Sequence, residues 1–168
     1  LRRLGVKTVF YTYGDPLRRG IKAGPDLVFP KLVEAEKVIG YEFTSREDRI
    51  HAVRELQAMG AGSVVMTFRY GCVARLAEGE GSRTCSGTMP PVDVVSPLGW
   101  GDALVGGYVV RMMEGASPVE CLRFGLGCGS ANLIRYGAGA FSPEDAAATP
   151  EPPDPSAHLR PPGYPASP

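Results

Sequence analysis

Histidine is nearly missing from this chain, cysteine is sparse, and neither sign of charge predominates. Only His51 and His158 are present, and the four cysteines, Cys72, Cys85, Cys121 and Cys128, never fall in a C-x-x-C spacing. A zinc site is therefore not expected, and the cysteines read as reduced thiols. Lysine plus arginine number 18, as do aspartate plus glutamate, so no net field recruits nucleic acid or an acidic membrane. A polyanionic substrate has to be held by local geometry. No run approaches the ~20 apolar residues of a membrane span, and the basic first residues lack the apolar core and cleavage site of a signal peptide. A soluble cytoplasmic protein is the expectation. No G-x-G-x-x-G follows the first strand, which sets a dinucleotide-binding oxidoreductase aside. No G-x-S-x-G elbow with a histidine partner is found, which sets a hydrolase aside.

What is present has the order of an α/β unit, and 168 residues suit one such domain with a tail. Residues 6–13 and 26–29 read as strands, with a short helix between them opened by Asp15-Pro16. A helix over residues 31–39 stops at Gly40. Thr44-Ser45-Arg46-Glu47 reads as a capping box for a longer helix, on which Ile50, Val53, Leu56 and Met59 recur every three residues and define one buried face. Residues 63–67 form the next strand. Beyond Gly71 the pieces shorten: residues 72–76 and 92–95 read as strands around a glycine-rich turn near Gly79-Glu80-Gly81, and antiparallel edge strands suit them best. Two helices follow. The first, residues 102–113, is apolar on nearly all sides. The second opens at the capping box Ser117-Pro118-Val119-Glu120 and runs to about Arg135, its small residues Gly125, Gly127 and Gly129 serving close packing. Residues 143–168 hold nine prolines and read as a disordered or polyproline-like tail. The division is thus 1–142 for the domain and 143–168 for the tail. The chain starts at Leu1 rather than methionine, close to a strand, so further upstream sequence is expected.

Chemistry concentrates in Ser96-Pro97-Leu98-Gly99-Trp100-Gly101-Asp102, between a strand and a helix start. The first amides of a helix lack intrahelical partners and its dipole favours an anion there. Two glycines permit close approach to a phosphate. Asp102 then serves either as a cap or as a base.

The order of segments around it resembles the phosphofructokinase-B or ribokinase-like family of carbohydrate kinases. AGPDLVFPKLVEAEKVIG resembles the family's P-D-L-x-K-P-N-x-x-E stretch, and HAVRELQAMGAGSVVMT its helix and strand before the nucleotide loop. VVSPLGWGDALVGGYV resembles the G-A-G-D or G-S-G-D signature, and CLRFGLGCGSANLIRYGAGAF the closing helix. The similarity spans residues 1–142, with wording closest to the 1-phosphofructokinase and tagatose-6-phosphate kinase branch.

The resemblance implies the C-terminal part of a three-layer α/β/α sandwich, with parallel strands and antiparallel edge strands. It also implies ATP-dependent phosphoryl transfer, with magnesium, to a hydroxyl of a sugar or sugar phosphate. Asp102 becomes the general base, and Gly99, Trp100 and Gly101 supply amide donors to the transferring group. Ser96, Thr67, Arg69, Gly71, Asn132 and Lys31 form the nucleotide-binding set, and Glu34 sits at the magnesium position. The family's lid and most of its sugar contacts belong to an N-terminal half that this sequence lacks, as does the surface through which the family often forms homodimers.

The sequence also departs from the family. Trp100 replaces alanine or serine, either crowding the phosphates or plugging the helix start. Lys31 replaces the magnesium-side asparagine, as a phosphate contact or a solvated lysine, and Tyr11 replaces an upstream aspartate. The nucleotide loop reads Met66-Thr67-Phe68-Arg69-Tyr70-Gly71 without its first glycine, which a strand-to-strand turn explains nearly as well. Asn132 is either the adenine-side asparagine or a cap near Gly137. A truncated, non-catalytic nucleotide-binding relative is the alternative these departures favour.

Overall fold

A computed structural model describes residues 4–69, 71–89 and 92–148. Five strands, β1 (Val9–Phe10), β2 (Leu27–Val28), β3 (Ser63–Phe68), β4 (Gly71–Glu78) and β5 (Gly81–Thr88), form one sheet in chain order. The first three run parallel, with Val9 beside Leu27 and Leu27 beside Ser63. β4 and β5 then add two antiparallel pairings, with Val65 opposite Ala74 and Ala74 opposite Cys85. Among the described residues six helices complete the fold: α1 (Gly14–Lys22), α2 (Leu32–Ile39), α3 (Arg46–Ala58), α4 (Trp100–Met113), α5 (Pro118–Leu133) and α6 (Pro143–Ala147).

The pleat sorts the core into two halves, because successive side chains of a strand point to opposite faces. Val28, Val64, Met66 and Val73 pack with Leu17, Ile21, Ala35, Val53 and Leu56 of α1, α2 and α3. Leu27, Val65, Cys72, Ala74 and Cys85 pack with Leu104, Tyr108, Leu122 and Leu126 of α4 and α5. Helices therefore cover both faces of a mixed sheet, giving three layers. The two-residue β1 is too short to hold its place by ladder bonds alone. Asp26 pins it by accepting from Thr8 N and Thr8 Oγ1, both at 2.9 Å, and from Lys7 Nζ at 3.0 Å.

α4 and α5 meet through glycine. A Cβ on Gly107 would lie 2.5 Å from Cys128 Sγ, and one on Gly125 would lie 2.6 Å from Leu104 O. Only hydrogen fits at such an approach, so these glycines do serve packing. All four cysteines are buried and free. Burial pushes the Cys72 thiol up to about 12 and those of Cys85 and Cys128 up to about 11, which keeps them protonated and inert.

Several sequence-based expectations are corrected. The α3 capping box is Ser45 with Asp48, one residue beyond Thr44 and Glu47. Residues 92–95 form no strand; Val95 N and Ser96 N donate instead to Leu133 O at the end of α5. The strand beside β4 is β5, whose sequence GSRTCSGT has little β-branched or aromatic character. Residues 143–147, assigned to the tail by composition, form α6, which opens with Pro143 at its start and a Ser142–Asp145 capping box. The tail beyond residue 148 lies outside the described residues. Among the described residues no helix is long and apolar enough to cross a membrane.

Candidate active site

Because β1, β2 and β3 run parallel, their carboxyl ends share one edge of the sheet, where open α/β sheets present their ligand crevice. Tyr11 follows β1, Lys31 follows β2, and Thr67 lies in the last two residues of β3. Lys31 and Thr67 form a parallel bridge, and Thr67 N donates to Pro30 O at 3.0 Å. Alternation along β3 places Thr67 with Val65, on the face covered by α4 and α5.

α4 begins at this same end. Gly99, its N-cap, has φ 82° and ψ 0°, a left-handed conformation that glycine adopts without strain. A Cβ there would also lie 2.6 Å from Ala138 Cβ. Ala103 N donates to Gly99 O at 2.9 Å, and no side chain caps the amides ahead of it. The amides of Trp100 and Gly101 thus remain at the positive end of a fourteen-residue helix. Asp102, in the first turn, is exposed. It borders a cleft of about 550 Å³ whose walls include Gly99, Gly106, Phe124 and Phe141.

Tyr11 enters this site from β1. Its hydroxyl faces Gly101 so closely that a Cβ there would lie 2.9 Å from the oxygen. Burial raises the phenol above its ordinary range, and the negative charge of Asp102 acts in the same direction. Tyr11 therefore stays a neutral donor beside the carboxylate. In the sequence Tyr11 stands only in place of the family's aspartate; its position just past the carboxyl end of β1 is the signal of its role.

The other expected residues divide. Trp100 packs against the α4–α5 core, its Cε3 and carbonyl oxygen within 3.5 and 3.2 Å of where a Gly129 Cβ would sit. The indole is a plug for the helix start, and its amide is what it offers the site. Ser96 Oγ accepts from Leu98 N at 3.3 Å, shaping the turn that leads to Gly99. Asn132 is fully buried, donating Nδ2 to Leu98 O and accepting from Gly139 N, both at 2.7 Å. Both polar ends of its amide bond to backbone, so it clamps the two loops flanking Gly99.

The segment expected as the nucleotide loop is a short connection between strands. Phe68 pairs with Gly71 across a two-residue connection between β3 and β4, with Arg69 exposed in it. Gly71 is glycine because a Cβ would lie 2.6 Å from Gly87 O on β5, a demand of the sheet and not of a ligand.

Glu34, expected at the magnesium position, is held by protein donors. Its Oε2 accepts from Gly14 N at 3.0 Å and its Oε1 from Lys37 Nζ at 2.9 Å. These two bonds, Lys37 first, hold its carboxyl below the ordinary range. Each carboxylate oxygen carries two lone pairs, so Glu34 keeps acceptor capacity on both oxygens beyond these two bonds. Among the described residues no three His, Cys, Asp or Glu side chains cluster as a metal site.

Comparison with known proteins identifies the family. Residues 6–145 match the pfkB family carbohydrate kinase model. The chain belongs to that family. It is 25% identical over 130 residues to the 1-phosphofructokinase of Borreliella burgdorferi, covering 77% of this chain and 42% of that protein. It is 29% identical over 147 residues to the ATP-dependent 6-phosphofructokinase isozyme 2 of Escherichia coli, covering 86% and 46%. A solved structure of Escherichia coli phosphofructokinase-2 in complex with potassium superposes with a TM-score of 0.76 at 28% identity, covering 87% of this chain and 47% of that one. Arabidopsis thaliana ribokinase, complexed with ribose and ATP, shares the fold with a TM-score of 0.73 at 22% identity, covering 86% and 47%. The chain thus spans less than half the length of these relatives.

Proposed function

We propose that this chain supplies the catalytic end of an ATP-dependent phosphotransferase acting on a hydroxyl of a sugar phosphate. One observation carries the reading: the left-handed Gly99 cap leaves the amides of Trp100 and Gly101 uncapped, with the carboxylate of Asp102 exposed in the same turn. The nucleotide supplies the phosphoryl group and the leaving group. Asp102 accepts the proton of the acceptor hydroxyl as that oxygen bonds to phosphorus. The amides, fixed before the reaction begins, face the negative oxygens of the phosphoryl group in flight. Tyr11, held neutral beside Asp102, adds a donor at the same point. Lys31 and Thr67, bridged at the next strand ends, lie along the path to the nucleotide. Glu34 is the residue that would face magnesium, and every step assigned to this chain runs through its own residues.

A second reading, nucleotide binding without turnover, is favoured by the two-residue connection where a nucleotide loop was expected and by Asn132, which serves as a clamp. Calorimetry with ATP and ADP release in the presence of a hexose phosphate separate the two. Under the first reading Asp102→Asn leaves ATP affinity nearly intact and lowers turnover ~10²–10⁴-fold; unchanged turnover removes the base. ATP binding with no ADP release once an N-terminal half is joined to this chain establishes the second reading, and absence of ATP binding there overturns both.

A further inference from the structure

The face of the sheet opposite α4 holds a second concavity. It encloses about 180 Å³ between α3 and the β4–β5 pair, with Arg46, Arg54, Thr84 and Ser86 in its lining and Ile50 and Val73 as apolar walls. Arg46, Ile50 and Arg54 are spaced by four, so they form one stripe on α3. Val73 pairs with Ser86, and Arg75 with Thr84, which brings both hydroxyls under that stripe.

The charge in this pocket is one-sided. No carboxylate lines it. Of the three acids of α3, Asp48 is engaged in the capping box, and neither Glu47 nor Glu55 lines the pocket. Arg54 enters none of the ion pairs among the described residues. Adjoining the pocket, Arg75 rests on neutral oxygens only, donating from Nε to Gln57 Oε1 at 3.2 Å and from Nη1 to Thr84 Oγ1 at 3.0 Å. Because Thr84 accepts from Arg75, its own hydroxyl proton is left to donate. Arg46 is also the first residue of α3, where the helix dipole adds positive potential.

We propose that this pocket binds a small phosphate oxyanion, gripped by the guanidinium groups of Arg46 and Arg54 and by the hydroxyls of Thr84 and Ser86. Guanidinium forks match phosphate oxygens in geometry as well as charge. Size narrows the ligand class. At roughly 30 Å³ per water, the space equals about six waters, enough for phosphate and a few carbons against Ile50 and Val73. Pockets for larger organic ligands run from about 300 Å³ upward, so a whole nucleotide does not fit. Inorganic phosphate and small phosphomonoesters are the two sources of such a ligand.

The test is a ¹⁵N-resolved titration of the whole chain with inorganic phosphate and, separately, with glycerol phosphate, following the amides of Thr84, Cys85 and Ser86. Saturable shifts at these amides in both arms are expected, tighter for the ester if the apolar walls contribute. Arg54→Gln should weaken binding about tenfold, the loss of one charge-assisted contact, and Thr84→Val should weaken it further while α3 and β5 keep their native shifts. Asp102→Asn, on the opposite face of the sheet, should leave this titration unchanged. Shifts confined to the start of α4, or an affinity indifferent to both pocket substitutions in folded protein, would overturn the proposal.

Discussion

Replacing Asn132 with leucine tests the clamp that holds the candidate site together. Leucine reproduces the branched outline of asparagine without a donor or an acceptor. Two backbone groups, Leu98 O and Gly139 N, then lose their 2.7 Å partners; Asn132 is fully buried, but Leu98 and Gly139 lie in exposed loops where water takes over part of each bond. An unsatisfied buried polar group costs about 1–3 kcal/mol, so with both groups partly hydrated the pair together amounts to about 1–3 kcal/mol, a sizeable share of the ~5–15 kcal/mol that stabilises a typical domain. With a urea m-value of about 2 kcal/mol per molar, the unfolding midpoint falls by about 0.5–1.5 M. Asn132→Asp supplies a second arm. Its ionised carboxylate still accepts from Gly139 N but has nothing to donate to Leu98 O, and burial raises its pKa above the ordinary ~3.9. Below that value the protonated group donates to Leu98 O and much of the stability returns; as pH rises through the raised value the stability is lost. A midpoint shift under about 0.5 M for Asn132→Leu, or a pH-independent Asn132→Asp, would refute the clamp.

Gly101→Ala brings a methyl against the Tyr11 hydroxyl, the far end of a half-exposed side chain that can swing aside; the cost should stay near or below 1 kcal/mol, and a double-mutant cycle with Tyr11→Phe should remove it. A cost above 2 kcal/mol that survives Tyr11→Phe would show that the backbone, and not the hydroxyl, demands glycine. Glu34 is held below its ordinary pKa by Lys37 and the Gly14 amide, so its contribution is present above the unfolded-state value of ~4.3 and lost as pH falls through the lower folded value. Glu34→Gln should therefore be less stable than the parent chain at pH 7 and match it at the acid end of a pH series of thermal melts; equal melting points at pH 7 would contradict the assignment.

Features specified by neighbours in sequence were legible before any coordinates. The Ser117–Glu120 box, the α3 stripe and the glycine-rich turn after β4 are local, and each appears where expected, with the α3 box displaced by one residue because Ser45 caps as well as Thr44. What escaped was set by distant partners. β5 lacks strand-forming residues and exists because β4 offers a full ladder to it. Residues 92–95 look like a strand, yet Leu133 O takes the amides of Val95 and Ser96. α6 was hidden by the proline-rich composition of the tail, although Ser142-Pro143 followed by Asp145 is itself a helix start. At the site, the motif marked Gly99, Gly101 and Asp102. The roles of Asn132 and Glu34 depended on Leu98, Gly139 and Gly14, which no spacing rule connects to them.

The sheet order repeats the chain order, so each strand finds its partner in the segment next to it along the polypeptide. Assembly from adjacent segments spares the chain the entropy of closing long loops early. The β4–β5 hairpin, joined by two residues, is then the natural seed, with β3 and α3 condensing onto it and the two-residue β1 arriving last. On this route, substitutions along Val73 to Leu76 should slow folding, whereas those around Thr8 and Asp26 should chiefly hasten unfolding.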